Sequence, residues 1–367
     1  MKTRLLIVDD SVAFRMFLRK CLMGLDELEV VGVARDGVDA LEKVAELKPD
    51  VITLDMNMPR MNGMETLTAL KRDHPDVKVI IVAAETEDDA DRTVQALKAG
   101  AFDFILKPKA SDGNPAESIR TSLLPRLEEL QRSDSNPRIA DVAVSERPAS
   151  QPLPSAPAPE VAAPSAAARL ARDVRMDILA IGASTGGPAA LHEVLCHLPA
   201  NLPVPVVVVQ HMPALFIRSL ASRMDKESLL TCKVADEGER LLPGHVYFAP
   251  GDRHMEIEAR EEGLFVSLSD APPLHFCRPA VDAMFNSLTK LAPRIHTLVV
   301  VLTGMGKDGS AGALELAKRD GYVIAQNKET STVWGMPGAT VGLGAAHSVL
   351  ALEQIPSAIL ATLQLAH

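Results

Sequence analysis

The stretch 176–188, MDILAIGASTGGP, constrains the fold of this chain more than any other. Residues 177–181 are a short apolar run, and Gly182-Ala-Ser-Thr-Gly186-Gly187 supplies turn residues. Pro188 follows, where proline favours the first turn of a helix. Ala189, Ala190, Leu191, Val194 and Leu195 then have helical spacing. The order is strand, tight glycine turn, helix, with Ser184 at the tip. Backbone N–H groups at a helix N-terminus favour nearby negative charge. That suits either a bound phosphate or the oxyanion formed when Ser184 attacks a carbonyl. Gly182-x-Ser184-x-Gly186 also fits a nucleophile elbow, but by itself it leaves structural, phosphate-binding and nucleophilic readings open.

A chain of 367 residues is expected to form two domains rather than one core. Hydrophobic residues make up 47% and aromatics 3%, so its cores are aliphatic, as in parallel sheets flanked by helices. A formal net charge of −10 argues against nucleic acid as a partner, because phosphate binding needs a basic surface. Cys21, Cys196, Cys232 and Cys277 are scattered and form no Cys-x-x-Cys pair, which suggests neither a zinc site nor a disulfide framework. Residues 1–8 hold only four consecutive apolar residues, too few for a signal peptide. No apolar run approaches the roughly 18–20 residues needed to span a bilayer. A soluble, cytoplasmic, non-inserted protein is expected.

In the N-terminal part, apolar runs at 5–8, 30–34, 51–54, 79–82 and 104–106 alternate with helical patterns. This predicts a five-stranded parallel sheet, whose ligands sit at the carboxyl ends of the strands. Those ends carry Asp9, Asp10, Asp55 and Lys107. Converging carboxylates repel one another and call for a cation; oxygen-only ligands favour Mg²⁺. Lys107 complements a phosphoryl group. The alternative, Asp9-Asp10 as a helix cap, accounts for one acidic residue but not for the whole set.

Val8-Asp9-Asp10-Ser11, Asp55-Met-Asn-Met-Pro59-Arg-Met-Asn-Gly63, Ala99-Gly100-Ala101 and Lys107-Pro108 resemble a two-component receiver domain of flavodoxin-like fold, over roughly residues 2–130. The resemblance implies that Asp55 is the phosphoacceptor, that Asp9 and Asp10 help bind Mg²⁺, and that Lys107 contacts the phosphoryl group. It also implies that the Asn57 backbone carbonyl completes the metal site with Asp10 and Asp55. One departure stands out. Receivers carry Ser or Thr just after the fourth strand, where this chain has Ala83, followed by Ala84. Phosphorylation is expected to survive, and the strength of the switch it drives is put in question.

From about 133 to 172 the chain is rich in Pro, Ala and Ser with almost no large apolar residues. Such a segment cannot bury enough surface to offset its ordering entropy and reads as a linker. The expected boundaries are 1–131 for the receiver, 132–174 for the linker and 175–367 for a second α/β domain. There, runs at 204–209 (interrupted by Pro205), 246–248, 264–268, 297–302 and 322–325 predict a doubly wound, mainly parallel sheet. An antiparallel hairpin is expected between residues 244 and 268.

Ser184, His211 and Asp308 each stand just past an apolar strand of this second sheet. A serine hydroxyl needs a base to remove its proton, and the base needs a partner to fix its tautomer. A lone histidine is usually a surface or core residue; one placed after a wholly apolar strand, with these two neighbours, is read as catalytic. A dinucleotide-binding domain would need G-x-G-x-x-G and an acidic residue after the second strand, and both are missing. A Walker A loop is missing too, and the order Ser–His–Asp differs from that of α/β-hydrolases.

Gly-Ala-Ser184-Thr-Gly-Gly, Gln-His211-Met-Pro and Leu-Thr-Gly-Met-Gly-Lys-Asp308-Gly resemble the chemotaxis protein-glutamate methylesterases, from residue 177 to the end. Ala249-Pro-Gly-Asp-Arg-His254, Arg278-Pro-Ala-Val-Asp282 and Gly335-Met-Pro337 support the likeness. The resemblance implies Ser184 as nucleophile, His211 as general base, Asp308 as its orienter and the Met305 N–H as oxyanion donor, with Thr185 beside the nucleophile. It implies demethylation of glutamate methyl esters on chemoreceptor cytoplasmic helices, with release of methanol, and deamidation of receptor glutamines. No cofactor is expected for that reaction. A histidine kinase is the expected phosphodonor and a monomer the expected state. The rival reading is a phospho-switched binding module with a vestigial site; a DNA-binding regulator lacks both a basic surface and a helix-turn-helix pattern. His254, Arg278 and Asp282 are expected either to shape the cleft or to pack loops. Trp334 is expected to pack against core or cleft wall, and His192 and His197 to be solvated on the helix after Ser184.

Overall fold

In the computed structural model, residues 2–109, 113–134, 175–292 and 294–365 are described. All but the first three residues of the expected linker lie outside them. The receiver part runs β1 (Thr3–Val8), α1 (Val12–Leu22), β2 (Leu28–Ala34), α2 (Gly37–Leu47), β3 (Val51–Asp55), α3 (Gly63–Asp73), β4 (Lys78–Ala83), α4 (Glu87–Lys98), β5 (Asp103–Leu106) and α5 (Pro115–Asp134). Its strands pair in parallel in the order β2-β1-β3-β4-β5. Helix starts are chemically specified. Ser11, Asp36 and Thr86 accept N–H bonds as caps, and Asn62 with Glu65 forms a reciprocal capping box. Helix α5 extends to Asp134, three residues past the expected boundary.

The second part runs β6 (Ile178–Ala183), α6 (Gly187–Leu195), β7 (Val206–Gln210), α7 (Ala214–Glu227), β8 (Thr231–Val234), β9 (His245–Phe248), β10 (His254–Arg260), β11 (Gly263–Ser269) and α8 (Val281–Leu291). It continues through β12 (Thr297–Val301), α9 (Ser310–Ala317), β13 (Tyr322–Gln326), α10 (Gly335–Gly342), β14 (Ser348–Leu350) and α11 (Ile355–Thr362). Seven strands pair in parallel in the order β14-β13-β12-β6-β7-β9-β8. The predicted run at 204–209 becomes a strand only from Val206. Pro205 has no N–H to donate and joins the ladder through its carbonyl alone, which accepts Leu179 N–H at 3.0 Å. The antiparallel hairpin is β10–β11, whereas residues 245–248 belong to the main sheet. Three strands escaped the run-by-run pattern: β10, the first strand of the hairpin, and β8 and β14, both short and at the main sheet's edges.

Successive strands are added to opposite sides of β1 in the first sheet, between β1 and β3, and of β6 in the second, between β6 and β12. At such switch points the loops diverge and leave a crevice at the carboxyl ends of the strands. Both sets of predicted site residues fall there. Among the described residues, no helix is long and apolar enough to cross a membrane.

The two sheets meet through α4 and β5 of the receiver and α6 and α7 of its neighbour. Phe104 and Phe216 stack with ring centroids 4.6 Å apart. Such a pair contributes about 0.5–1.5 kcal/mol beyond its area burial. Lys98 reaches Glu227 at 2.7 Å, and Ser219 donates to Asp91. Lys98 and Glu227 are 37% and 28% exposed, so that ion pair is worth about 1 kcal/mol at most. Apolar contact and the buried bonds described below therefore carry the interface.

Candidate active site

Register brings the three predicted residues to one rim. Ala183 of β6 pairs with Gln210 of β7, so Ser184 and His211 are the next residues on adjacent strands, and His211 N–H donates to Ala183 O at 3.2 Å. On the other flank Gly182 pairs with Val301, and Ser184 N–H donates to Thr303 O at 3.0 Å. Asp308 then reaches across, its Oδ2 lying 2.8 Å from His211 Nε2. The Ser184 hydroxyl has no hydrogen-bond partner among the described residues. His211 Nδ1 lies 3.6 Å from Cys277 Sγ instead.

Asp308 is the best-fixed of these groups. Its two oxygens accept the N–H groups of Val281 (2.7 Å) and Asp282 (2.9 Å), at the first turn of α8. Burial opposes its charge, but His211 and these donors hold its pKa below the ordinary carboxylate value. The reverse applies to His211, whose side chain is 12% exposed. Burial disfavours imidazolium, yet the Asp308 hydrogen bond and the Cys277 sulfur outweigh it and push the pKa up to about 9. Around neutral pH this is a charged pair.

Cys277 belongs to a turn that the sequence did not single out. Leu274 and Cys277 exchange backbone bonds of 2.8 and 3.1 Å, enclosing His275 and Phe276 at φ 50° and 64°. Left-handed backbone at such residues costs on the order of 1–3 kcal/mol each and persists only where surroundings enforce it. Here His275 Nε2 meets Asp282 Oδ2 at 2.8 Å, and Asp282 also accepts Gly312 N–H at 2.8 Å. Phe276 is fully exposed at the tip.

Gly304 permits the close approach of the two loops. A side chain there would begin 2.8 Å from Ser184 Cβ and against Met336 Sδ. Gly304→Ala is expected to displace Ser184, costing about 1–3 kcal/mol of stability and most of the turnover. Thermal melting and a turnover assay on the same preparation check both. The next residue, Met305, has a backbone N–H with no acceptor among the described residues.

Thr185 is turned away from this rim. Its hydroxyl donates to Asp103 Oδ2 of the receiver at 2.7 Å, and Arg126 Nε lies 2.8 Å from the same oxygen. Thr185 and Asp103 are both buried. Met305 and Val333 pack against the apolar cluster under α5. Between the two sheets remains a cleft of about 440 Å³, lined by Phe104, Lys107 and Arg126 on one side and His211, Phe276 and Arg278 on the other.

In the receiver, Asp9, Asp10 and Asp55 bring carboxylate oxygens within 4.8 Å of one another. Lys107 Nζ lies 2.9 Å from Asp9 and 3.2 Å from Asp55. Burial and the two neighbouring acids push the Asp55 pKa up to about 6, despite Lys107. Such a crowded, all-oxygen donor set fits a hard divalent cation. Asn57 uses its side chain on Asp89, at 2.8 Å. Ala83 is buried and its carbonyl accepts Lys107 N–H at 2.8 Å.

The remaining predicted residues have structural partners. His254 is buried, bonded to Ala280 N–H and facing Pro272 O. Arg278 reaches the carbonyls of Asp270 and Ala271. Trp334 donates to Gln326 O at 3.3 Å. His192 is not a solvated helix residue: its Nε2 meets Glu227 at 2.7 Å, where Lys98 arrives from the receiver. His197 is exposed but lies beyond the end of α6.

A receiver-type domain with an acidic pocket, packed over a parallel sheet whose switch point holds a serine turn and an Asp–His pair, defines a response regulator with a hydrolase output. The family described as CheB methylesterase matches residues 179–359, and the response regulator receiver domain family matches residues 5–113. The protein-glutamate methylesterase/protein-glutamine glutaminase of Thermotoga maritima is 39% identical over 97% of both chains. That of a Nocardioides species is 42% identical over 97% of this chain and 94% of its own. The crystal structure of the Thermotoga maritima CheB methylesterase catalytic domain aligns with a TM-score of 0.49 and 42% identity, covering 53% of this chain and all of that one. The chain belongs to the protein-glutamate methylesterase/protein-glutamine glutaminase family.

Proposed function

We propose that this chain is a phosphorylation-regulated serine hydrolase acting in the cytoplasm on chemoreceptor helices, where it demethylates glutamate methyl esters and deamidates glutamines. Its receiver runs to the end of α5 at Asp134, 135–174 is its linker and 175–367 its catalytic domain. The observation that carries this reading is the Asp308–His211 pair held at a strand end directly beside Ser184. Ser184 Oγ attacks the γ-carbonyl while His211 Nδ1 takes its proton, and Asp308 holds the imidazole through Nε2. The Met305 N–H receives the oxyanion; one such donor is worth roughly 3–4 kcal/mol. As the intermediate collapses, His211 gives the proton to the departing methoxy oxygen, releasing methanol, or to the departing amide nitrogen, releasing ammonia. A water deprotonated by His211 then hydrolyses the acyl-enzyme to a carboxylate. Methanol release from receptor membranes carrying labelled methyl esters tests the reading; a protein that binds them and releases none is a binding module.

Regulation follows from the cleft. The receiver covers Met305 and the approach to His211, while Asp103 holds Thr185, the neighbour of Ser184. A histidine kinase supplies the phosphoryl group to Asp55. Asp10, Asp55 and the Asn57 carbonyl would hold Mg²⁺, whose charge would offset that of the transferred phosphoryl group. With Ala83 in place of a hydroxyl, Lys107 is the remaining link. It contacts Asp55 from the residue after β5, and β5 carries Asp103 and Phe104 into the interface. Asp103→Ala removes a charged, buried acceptor, a loss of about 1.5–3 kcal/mol from the closed state. Basal activity without phosphodonor is expected to rise about tenfold, and stimulation by acetyl phosphate to shrink in proportion. Unchanged basal activity counts against occlusion.

A further inference from the structure

We propose that Cys277 is a positioning residue for His211: its sulfur holds the ring nitrogen that must receive the Ser184 proton, so the site is armed when Nδ1 passes from Cys277 to Ser184. This rests on His211 being the general base. An imidazole has two nitrogens, and here Nε2 is committed to Asp308 at 2.8 Å. Only Nδ1 remains for Ser184, and it faces Cys277 Sγ at 3.6 Å.

The sulfur is placed there by a closed ring of contacts. The strained turn holds Cys277, His275 ties that turn to Asp282, the Asp282 N–H ties it to Asp308, and Asp308 returns to His211. One continuous path of hydrogen bonds therefore sets His211 and Cys277 against each other. Strain maintained by such enforcement marks a position under functional constraint.

Proton accounting gives the consequence. With Nε2–H on Asp308 and sulfur accepting from Nδ1–H, the ring rests as imidazolium, which cannot act as a base. The Nδ1 proton must first leave to water in the cleft; the neutral nitrogen then takes the Ser184 hydroxyl proton as Oγ attacks. A sulfur acceptor is weak, so it gives way to a hydroxyl when the cleft opens. The elevated basicity of His211 agrees with this resting arrangement. Other charges around the cleft are Asp308 and, on its lining, Glu85, Lys107, Lys109, Arg126, Asp252 and Arg278; Cys277→Ala leaves all of them in place.

The test compares full-length protein with Cys277→Ala and Cys277→Ser, all treated with acetyl phosphate, by methanol release from labelled receptor membranes between about pH 6 and about pH 10. In Cys277→Ala the rising limb of the rate profile is expected to move to lower pH, raising kcat several-fold near neutrality with KM unchanged. Cys277→Ser keeps an acceptor at this place, so its limb should fall between the two. Superimposable limbs in folded variants overturn the proposal. If Cys277→Ala fails to fold, the serine variant decides: a partial shift supports the proposal and none overturns it. A Ser184→Ala control separates the two levels. Retained turnover there sinks both readings, whereas an inert control with unmoved limbs sinks only this one.

Discussion

Ser184→Ala is expected to abolish methanol release, by about four to six orders of magnitude, while leaving the fold intact. The magnitude follows from the unit the serine belongs to. Where nucleophile, base and orienter act together, removing the nucleophile alone costs about as much as removing all three, on the order of 10⁶ in kcat. What survives comes from the oxyanion donor and from binding. The fold is indifferent because the hydroxyl has no hydrogen bond among the described residues. The contacts that hold this turn are made by the backbone: Ser184 N–H to Thr303 O at 3.0 Å, and Gly187 N–H to Ser184 O at 2.7 Å. An unchanged melting temperature with no turnover is the expected pair of results. Turnover within tenfold of the parent would refute the nucleophile.

The second large effect is at Asp308. Asp308→Asn should lower kcat by about 10⁴, the usual consequence of an amide that leaves the imidazole in the wrong tautomer. The structure adds a reason. Both carboxylate oxygens face N–H donors, from Val281 and Asp282, besides His211. An amide can offer only one oxygen, so its NH₂ must face a donor. The pH profile should change with it. In the parent, His211 is raised to about 9, so the neutral base accumulates as pH climbs through that value. Without the carboxylate, the pKa should fall toward the ordinary 6.5. The residual rate of the variant should therefore level off at lower pH, making its deficit largest in alkali. Stability follows the same sign. A histidine with a raised folded pKa stabilises fully below its unfolded value and loses that contribution as pH rises through the folded one. The parent should lose this part of its stability between about pH 6.5 and 9, and the variant should not.

Much of the architecture was written in apolar runs ended by a polar residue. Residues 5–8 ending at Asp9, 51–54 ending at Asp55 and 297–302 leading to Asp308 are legible because a strand buried on both faces must be continuously apolar, and parallel sheets gather ligands at one end. The placement of Ser184, His211 and Asp308 on one rim follows from that rule. β8 and β14 were not legible: each is short and on an edge, where burial no longer imposes an apolar run. The hairpin fell within the expected stretch, but its first strand, residues 254–260, was not marked as an apolar run because Glu256, Glu258 and Arg260 alternate along it. Cys277 escaped because its importance lies in one contact with a residue far away in sequence. Its only local signal is the neighbouring Arg278-Pro-Ala-Val-Asp282. The bond between Thr185 and Asp103 joins two domains, and no pattern within either reports it.

The modest contacts between the sheets have a further consequence. Both partners sit on one chain, separated by 40 residues, 135–174, so their meeting is intramolecular. A tether of that length gives an effective concentration on the order of a millimolar, against which about 4 kcal/mol closes the lid half the time and about 5.5 kcal/mol some nine-tenths of it. Under the occlusion proposed above, a brake that weak is within reach of one phosphoryl group, and when that group is lost the two halves find each other again without searching the cell.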